Sequence, residues 1–240
     1  MPKRVVNLAI LFFSIVLCWL IGYAISRATN FQLMGKLVNQ VDTDKKIIAL
    51  SLDDGPTSRT DAVLAILAKH QVKATFFLNG EALAHFPEEA KKIAQAGHEI
   101  GNHAYHHQPL VWVGLEKVKT EIEKTDSLIR EAGYTDEIYI RPPFGKKLFN
   151  YPYYAWQNNR TTVIWSVAPE NELGKGASAE EFAAFTVNKT QAGDIILMHV
   201  MKNDRNESLK AIDKMIPKLK SKGFQWVTIS ELLRHKREQN

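Results

Sequence analysis

The chain has 240 residues, 45% of them hydrophobic and 24% charged, enough for one substantial core and short for two. Its 31 Lys and Arg against 26 Asp and Glu leave a formal net charge of +5, too small and too scattered an excess to argue nucleic-acid binding. The single cysteine, Cys18, lies in an apolar N-terminal run, which excludes an intramolecular disulfide framework and leaves cysteine chemistry without support.

That N-terminal run is the sharpest compositional break. After Lys3 and Arg4, "VVNLAILFFSIVLCWLIGYAI" (Val5–Ile25) carries no charge over 21 residues, long enough to cross a bilayer as a helix. A cleaved signal has an apolar region of only about 7–15 residues, and Gly22-Tyr23-Ala24 is a weak cleavage site. Leu17 before Cys18 is a poor fit to a lipoprotein processing site. Length therefore favours an uncleaved anchor over residues 1–25, with Lys3 and Arg4 on the inner side. The expected location is the cell membrane, single-pass with the folded part outside the cytoplasm, or secreted if the segment is cleaved. Residues 26–44 are polar without a sustained period and read as a tether to a domain over 45–240.

From Lys45 a rhythm begins. Short β-rich runs ("KIIALSL", "KATFFLN", "HEIGNH", "EIYIR", "TTVIWSV", "GDIILMHV", "FQWVTI") alternate with segments of helical period ("RTDAVLAILAKH", "PEEAKKIAQAG", "GLEKVKTEIEKTDSLIREAG", "SAEEFAAFTVNKT", "ESLKAIDKMIPKLKSKG"). Gly97, Gly133 and Gly223 follow three of these helices where a C-terminal cap is wanted. Seven strands with intervening helices imply an α/β fold with a parallel sheet, open or closed into a barrel. The aromatic stretch Leu148 to Asn159 is read as a helix packed on that sheet in preference to a sugar-stacking surface.

In such folds chemistry sits at the C-terminal ends of the strands. Asp53 and Asp54 follow "IIALSL", His103 and His107 follow "HEIGN", Arg141 follows "EIYI" and His199 follows "IILM". Adjacent Asp53 and Asp54 repel unless a cation or a proton intervenes. The four-residue spacing of His103 and His107 turns two imidazoles to one side in a helical turn. With Asp54 they make a three-ligand set with open positions, as in catalytic zinc or iron sites, which leaves Asp53 to act as a general base. Arg141, opening the stiff "RPPFG" loop, is placed to hold and aim Asp53. His199 is a candidate general acid, with Leu197 two residues back as an apolar wall beside it. The parts suit metal-assisted hydrolysis of an amide or ester.

"SLDDGP", "HAYHH", "RPPFG", "WSVAPEN" and "IILMHV" come in the order and approximate spacing of the NodB-like polysaccharide deacetylases, and the chain resembles that family from about Lys46 to Leu233. The resemblance implies an irregular seven-stranded (β/α) barrel related to the TIM barrel, here preceded by one N-terminal transmembrane helix. It implies removal of acetyl groups from N-acetylglucosamine in peptidoglycan, chitin or related polymers. By resemblance Asp53 is the base, and Asp54, His103 and His107 hold one divalent ion, zinc foremost, with cobalt, nickel, iron or manganese as alternatives. Arg141 orients the base, His199 is the acid, the Phe144 backbone N–H faces the oxyanion, and Trp165 lines the acetyl pocket.

One segment departs from the family. The usual Asp-x-x-Asp-Trp after the "WSV" strand, whose first Asp supports the catalytic histidine, is replaced by Ala168, Asn171 and Glu172, with Glu170 as a substitute at hand. The expectation is a membrane-tethered N-deacetylase, a monomer, acting on peptidoglycan or chitooligosaccharide and on no nucleic acid. An O-acetyl esterase and a catalytically weak glycan-binding relative are its rivals.

Overall fold

Nine consecutive buried residues, Ile47–Gly55, form the strand around which the other elements gather. A run apolar on both faces is what a parallel strand covered on both sides requires. In a computed structural model, which describes residues 3–236, the chain opens with α1 (Lys3–Arg27), β1 (Lys36–Val38), this strand as β2 (Ile47–Gly55), α2 (Thr60–Lys69) and β3 (Thr75–Leu78). Next come α3 (Gly80–His85), α4 (Pro87–Gln95), β4 (Glu99–Asn102), α5 (Leu115–Glu131), α6 (Asn150–Gln157) and β5 (Thr161–Val163). The chain continues with α7 (Pro169–Leu173), α8 (Ala179–Lys189), β6 (Ile195–Met198), α9 (Asn206–Ser221), β7 (Gln225–Val227) and α10 (Ile229–Leu233). The outermost parts of two expected segments, residues 1–2 and 237–240, lie outside the described residues.

Every strand pairing is parallel among the described residues. β2 pairs with β3 (Ser51 opposite Thr75), with β6 (Ala49 opposite Ile195) and, at its start, with β7 (Ile47 opposite Gln225). β3 pairs with β4, and β1 with β5. Single-residue bridges add to these: Ile140 links Asn102 to Thr162 and Val167 links to Ile196, both parallel, while Gln40 bridges Asp194 in the antiparallel sense. Followed in turn, the pairings run from β6 through β2, β3, β4, Ile140 and β5, and return to β6 at Val167.

Two of the sequence expectations change here. "EIYIR" is not a strand: only Ile140 pairs, its N–H donating to Thr161 O and its carbonyl accepting from Val163 N–H. Pro142 and Pro143 follow at once and have no N–H to continue a ladder. The seventh strand is instead β1, inside the stretch read as a tether. It has three residues and begins on exposed Lys36, too short to show a period. Just beyond it, buried Val41 donates to Gly193 O at 2.9 Å. A side chain on Gly193 (φ 82°) would bring a Cβ within 1.7 Å of Val41 O, so only glycine admits this approach. The linking stretch is therefore shorter than residues 26–44.

The five longer helices of the domain lie where their periods place them, and Gly97, Gly133 and Gly223 end three of them at φ of 72°, 89° and 87°. Short α3, α7 and α10 carry too few residues to show a period. α10 starts from a capping box, Thr228 and Glu231. The aromatic stretch forms α6, with Tyr151 and Tyr154 buried against Ile122 and Val118 of α5. The main core joins β2, β3 and β6 to α2, α8 and α9 through Leu52, Phe76, Leu67, Phe182 and Met215. From Ile10 to Ile21 α1 is exposed, and it is the one helix among the described residues long and apolar enough to cross a membrane.

Candidate active site

The adjacent carboxylates of Asp53 and Asp54 share a site because β2 breaks its own alternation there. Consecutive residues of a regular strand face opposite ways. The β2–β3 register slips between Asp53 and Gly55, and Asp54 stands at φ 70°. That is a bulge geometry that aspartate tolerates better than most residues. Both carboxylates are buried, and His103 Nε2 lies 3.5 Å from Asp53 Oδ2 and 3.8 Å from Asp54 Oδ1. His107 Nε2 is 3.0 Å from Asp54 Oδ1.

The two histidines are brought together without the helical turn that their spacing suggested. The segment after β4 has no helix; Ala104 and His107 adopt φ of 62° and 53°. Two left-handed residues fold the loop back so that the rings sit 5.0 Å apart. Asn102 Oδ1 accepts from Ala104 N, and Asn79 Nδ2 donates to His103 O. Fully buried Glu121 of α5 accepts from the backbone N–H of Tyr105 (3.0 Å) and His106 (2.8 Å), from His106 Nδ1 (2.6 Å), and pairs with Lys117 (2.7 Å). Burial raises the Glu121 pKa, but Lys117 and the His106 N–H outweigh it and bring the carboxyl down to about 2.

His103 Nδ1 lies 2.9 Å from Arg141 O. A carbonyl only accepts, so this contact assigns the proton to Nδ1 and leaves Nε2 as a ligand atom. Asp54, His103 and His107 each offer one ligand atom, all within 4.8 Å of one another. Asp54 Oδ1 is buried yet accepts no hydrogen bond of good geometry, although His107 is near. An orphaned carboxylate oxygen facing two imidazole nitrogens fits a divalent cation. Burial raises the Asp54 pKa, but His107, His103 and Lys202 hold it well below the usual carboxylate range. Burial pushes the His103 pKa down, against the pull of Asp53 and Asp54, which favours the neutral, ligating form.

Arg141 is fully buried and fixed on every side. Nη1 donates to Asp53 Oδ1 at 2.6 Å and to Ser51 Oγ at 3.0 Å. Nε and Nη2 donate to Val163 O and Ile164 O, and the guanidinium lies 3.8 Å over the Phe77 ring. Burial lowers its pKa, with Asp53 opposing. The loop after it carries Phe144 at φ 59°, half exposed, its ring 4.7 Å from His107. Gly145 packs on Trp165, whose ring lies 5.7 Å from Arg141. Leu197, buried in β6, pairs with Ser51. The structure thus gathers Asp53, Asp54, His103, His107 and Arg141 directly, with Phe144, Trp165 and Leu197 around them.

His199, one residue past β6, answers the gap left by Ala168. Its Nδ1 lies 2.5 Å from Glu170 Oε2, and its backbone N–H donates to the same oxygen at 3.0 Å. Glu170, buried in the first turn of α7, also accepts from Ser208 Oγ. Burial lowers the His199 pKa, but the Glu170 hydrogen bond and the nearby charges of Asp53, Glu170 and Asp54 raise it overall. Two participants were not foreseen from the sequence. Glu121 had a signal, a carboxylate on the buried face of α5 between Val118 and Thr125. Lys202, with Nζ 2.8 Å from Asp54 Oδ2, had none.

The model of the polysaccharide deacetylase family matches residues 40–163. A peptidoglycan-N-acetylglucosamine deacetylase of Bacillus cereus is 38% identical over 198 residues, 81% of this chain and 71% of that protein. The chain belongs to the polysaccharide deacetylase family. As an enzyme of this family it also resembles solved structures. One is a peptidoglycan N-acetylglucosamine deacetylase in complex with a naphthalenyl N-hydroxybenzamide, at 36% identity and a TM-score of 0.78, covering 85% of this chain and 96% of that one. Another is a CE4 family pseudoenzyme from Bacillus anthracis, at 28% identity and a TM-score of 0.74, covering 86% and 72%. The polysaccharide deacetylase fold is therefore found both in a protein described as a deacetylase and in one described as a pseudoenzyme.

Proposed function

We propose that this polysaccharide deacetylase is an N-deacetylase that removes acetyl groups from N-acetylglucosamine in peptidoglycan outside the cytoplasm. The observation that carries the reading is the pairing of both proton-handling groups with a fixed partner on one rim: Asp53 with Arg141, and His199 with Glu170. The second pair argues against a relative without turnover, because the support missing at Ala168 is replaced. The likeness to a protein named for peptidoglycan N-acetylglucosamine favours that substrate over an O-acetyl ester.

In the proposed mechanism Asp54, His103 and His107 hold one divalent ion, zinc by the imidazole and carboxylate donor set. When bound, that ion supplies Lewis acidity at the acetyl group and its attacking water. Asp53, aimed by Arg141, takes the proton from the water as its oxygen forms the new bond to the acetyl carbon. The Phe144 backbone N–H faces the developing oxyanion, while Trp165 and Leu197 wall the acetyl pocket. His199 keeps its Nδ1 proton in the hydrogen bond to Glu170, so Nε2 is the atom that protonates the departing nitrogen as the C–N bond breaks. Acetate leaves and a free amine stays on the sugar.

The surrounding architecture is proposed to be an irregular barrel of the TIM type, working as a monomer. Its domain runs over 45–240 with β1 added, and residues 1–25 are a retained membrane anchor. Replacing Asp53 by Asn should leave metal uptake intact and lower acetate release from N-acetylated glycan by about 10²–10⁴-fold. Replacing His103 by Ala should abolish both uptake and release. Full acetate release by both variants would overturn the assignment, and preference for an acetate ester over the amide would move it to the esterase reading.

A further inference from the structure

Helix α1 does not stand clear of the domain. Lys147 donates from its backbone N–H to Ser26 O at 3.0 Å and from Nζ to Ala28 O at 2.5 Å. Carbonyls at and just past a helix C-terminus lack intrahelical partners and carry the negative end of the dipole, so one lysine satisfies two of them, one with its backbone N–H and one with its side-chain ammonium. Leu148 beside it is buried, and a Cβ placed on Gly22 would lie 3.9 Å from Leu148 and 4.0 Å from the Trp112 ring. From Arg27 back to Gly22 the domain thus follows α1 for about 7–8 Å of helix axis.

Aromatic side chains from both parts gather at that level. On α1, Trp19 stacks on Tyr23 at 5.6 Å, with Arg27 over the Tyr23 ring. On the domain, Trp112 is 68% exposed and Phe149 50%, their rings 5.9 Å apart. An exposed Trp–Phe pair set against an apolar helix is a patch with a use. A bilayer core takes about 20 helical residues, and α1 has 25, so its last turns fall at a headgroup boundary. Trp and Tyr concentrate at that boundary.

Resting on the reading of α1 as a retained anchor, we propose that Trp112 and Phe149 insert into the headgroup region of the bilayer that α1 crosses and seat the catalytic domain on the lipid surface. Phe144 is three residues from Lys147, at most about 11 Å of chain, and its ring touches His107. The seat therefore holds the rim of the site near the membrane, facing glycan that lies close to it.

The test reconstitutes the full chain into phosphatidylcholine vesicles whose acyl chains carry bromine either near the headgroup or deep in the core. The emission of each tryptophan is the difference between the wild type and a Trp112→Phe or Trp19→Phe variant. Quenching of Trp112 by shallow bromine, weaker with deep bromine, is the expected result. Quenching of Trp19 with none of Trp112 overturns the seat and leaves the anchor standing. Quenching of neither removes the anchor reading and the seat with it.

Discussion

In the proposed mechanism His199 is the proton donor and needs a partner that keeps it charged until the bond breaks; Glu170, two residues past Ala168, stands in that place. Glu170 reaches His199 because α7 begins at Pro169 and turns its first-turn carboxylate under the ring, where Ser208 and the His199 N–H fix it. The His199 pKa stands above its ordinary value, so the imidazolium persists to higher pH than a free histidine would. Removing the charge with Glu170→Gln should lower that pKa. The alkaline limb of kcat/KM, which reports the free enzyme's acid, should then move to lower pH, and its plateau should fall about 10–100-fold. A pH–rate profile checks this, and a limb that stays in place would mean that Glu170 is structural only.

At the scale of elements, the loop between β4 and α5 shows what could and could not be read from the sequence. His103 and His107 were legible as a candidate ligand pair from their residue types and separation, yet their local conformation was not. Two left-handed residues and the long-range grip of Glu121 create it, and neither leaves a periodic trace. Likewise β2, β3 and β6 were legible from apolar runs. β1 has three residues, and the pairing at Ile140 is a single residue wide. The Asp53–Asp54 pair was legible as a site, whereas the bulge that puts both carboxylates on one side depends on the register with β3. Glu121 makes the element-scale dependence testable. Glu121→Gln keeps the shape but turns an amide N–H₂ or a single oxygen toward several donors, at a cost of about 1–3 kcal/mol for each donor left unpaired. Metal affinity by calorimetry should fall about 10–100-fold, and the visible spectrum of the cobalt-loaded protein should shift, since the ligands move. An unchanged spectrum and affinity would confine Glu121 to stability.

For the molecule as a whole, the site reports closure of the ring of pairings. Asp54 comes from β2, the histidines from the loop after β4, Arg141 from just after the one-residue bridge at Ile140, Glu170 from α7 and His199 from just past β6. The unfolded chain has no such arrangement, so an ion that binds only the folded form adds RT ln(1 + [L]/Kd) to stability. At a free ion concentration of about 100 Kd this is about 2.7 kcal/mol. For a chain of this size each kcal/mol moves Tm by about 2–4 °C, so adding zinc to chelator-treated protein should raise Tm by about 5–10 °C. Asp54→Ala should lose that rise, because two imidazoles alone hold the ion weakly. Asp53→Asn should keep it, because Asp53 is held by Arg141 rather than needed as a ligand. Scanning calorimetry of the three proteins with and without zinc separates the two carboxylates on a property of the entire fold. A rise in Asp54→Ala equal to that of the wild type would place the ion elsewhere.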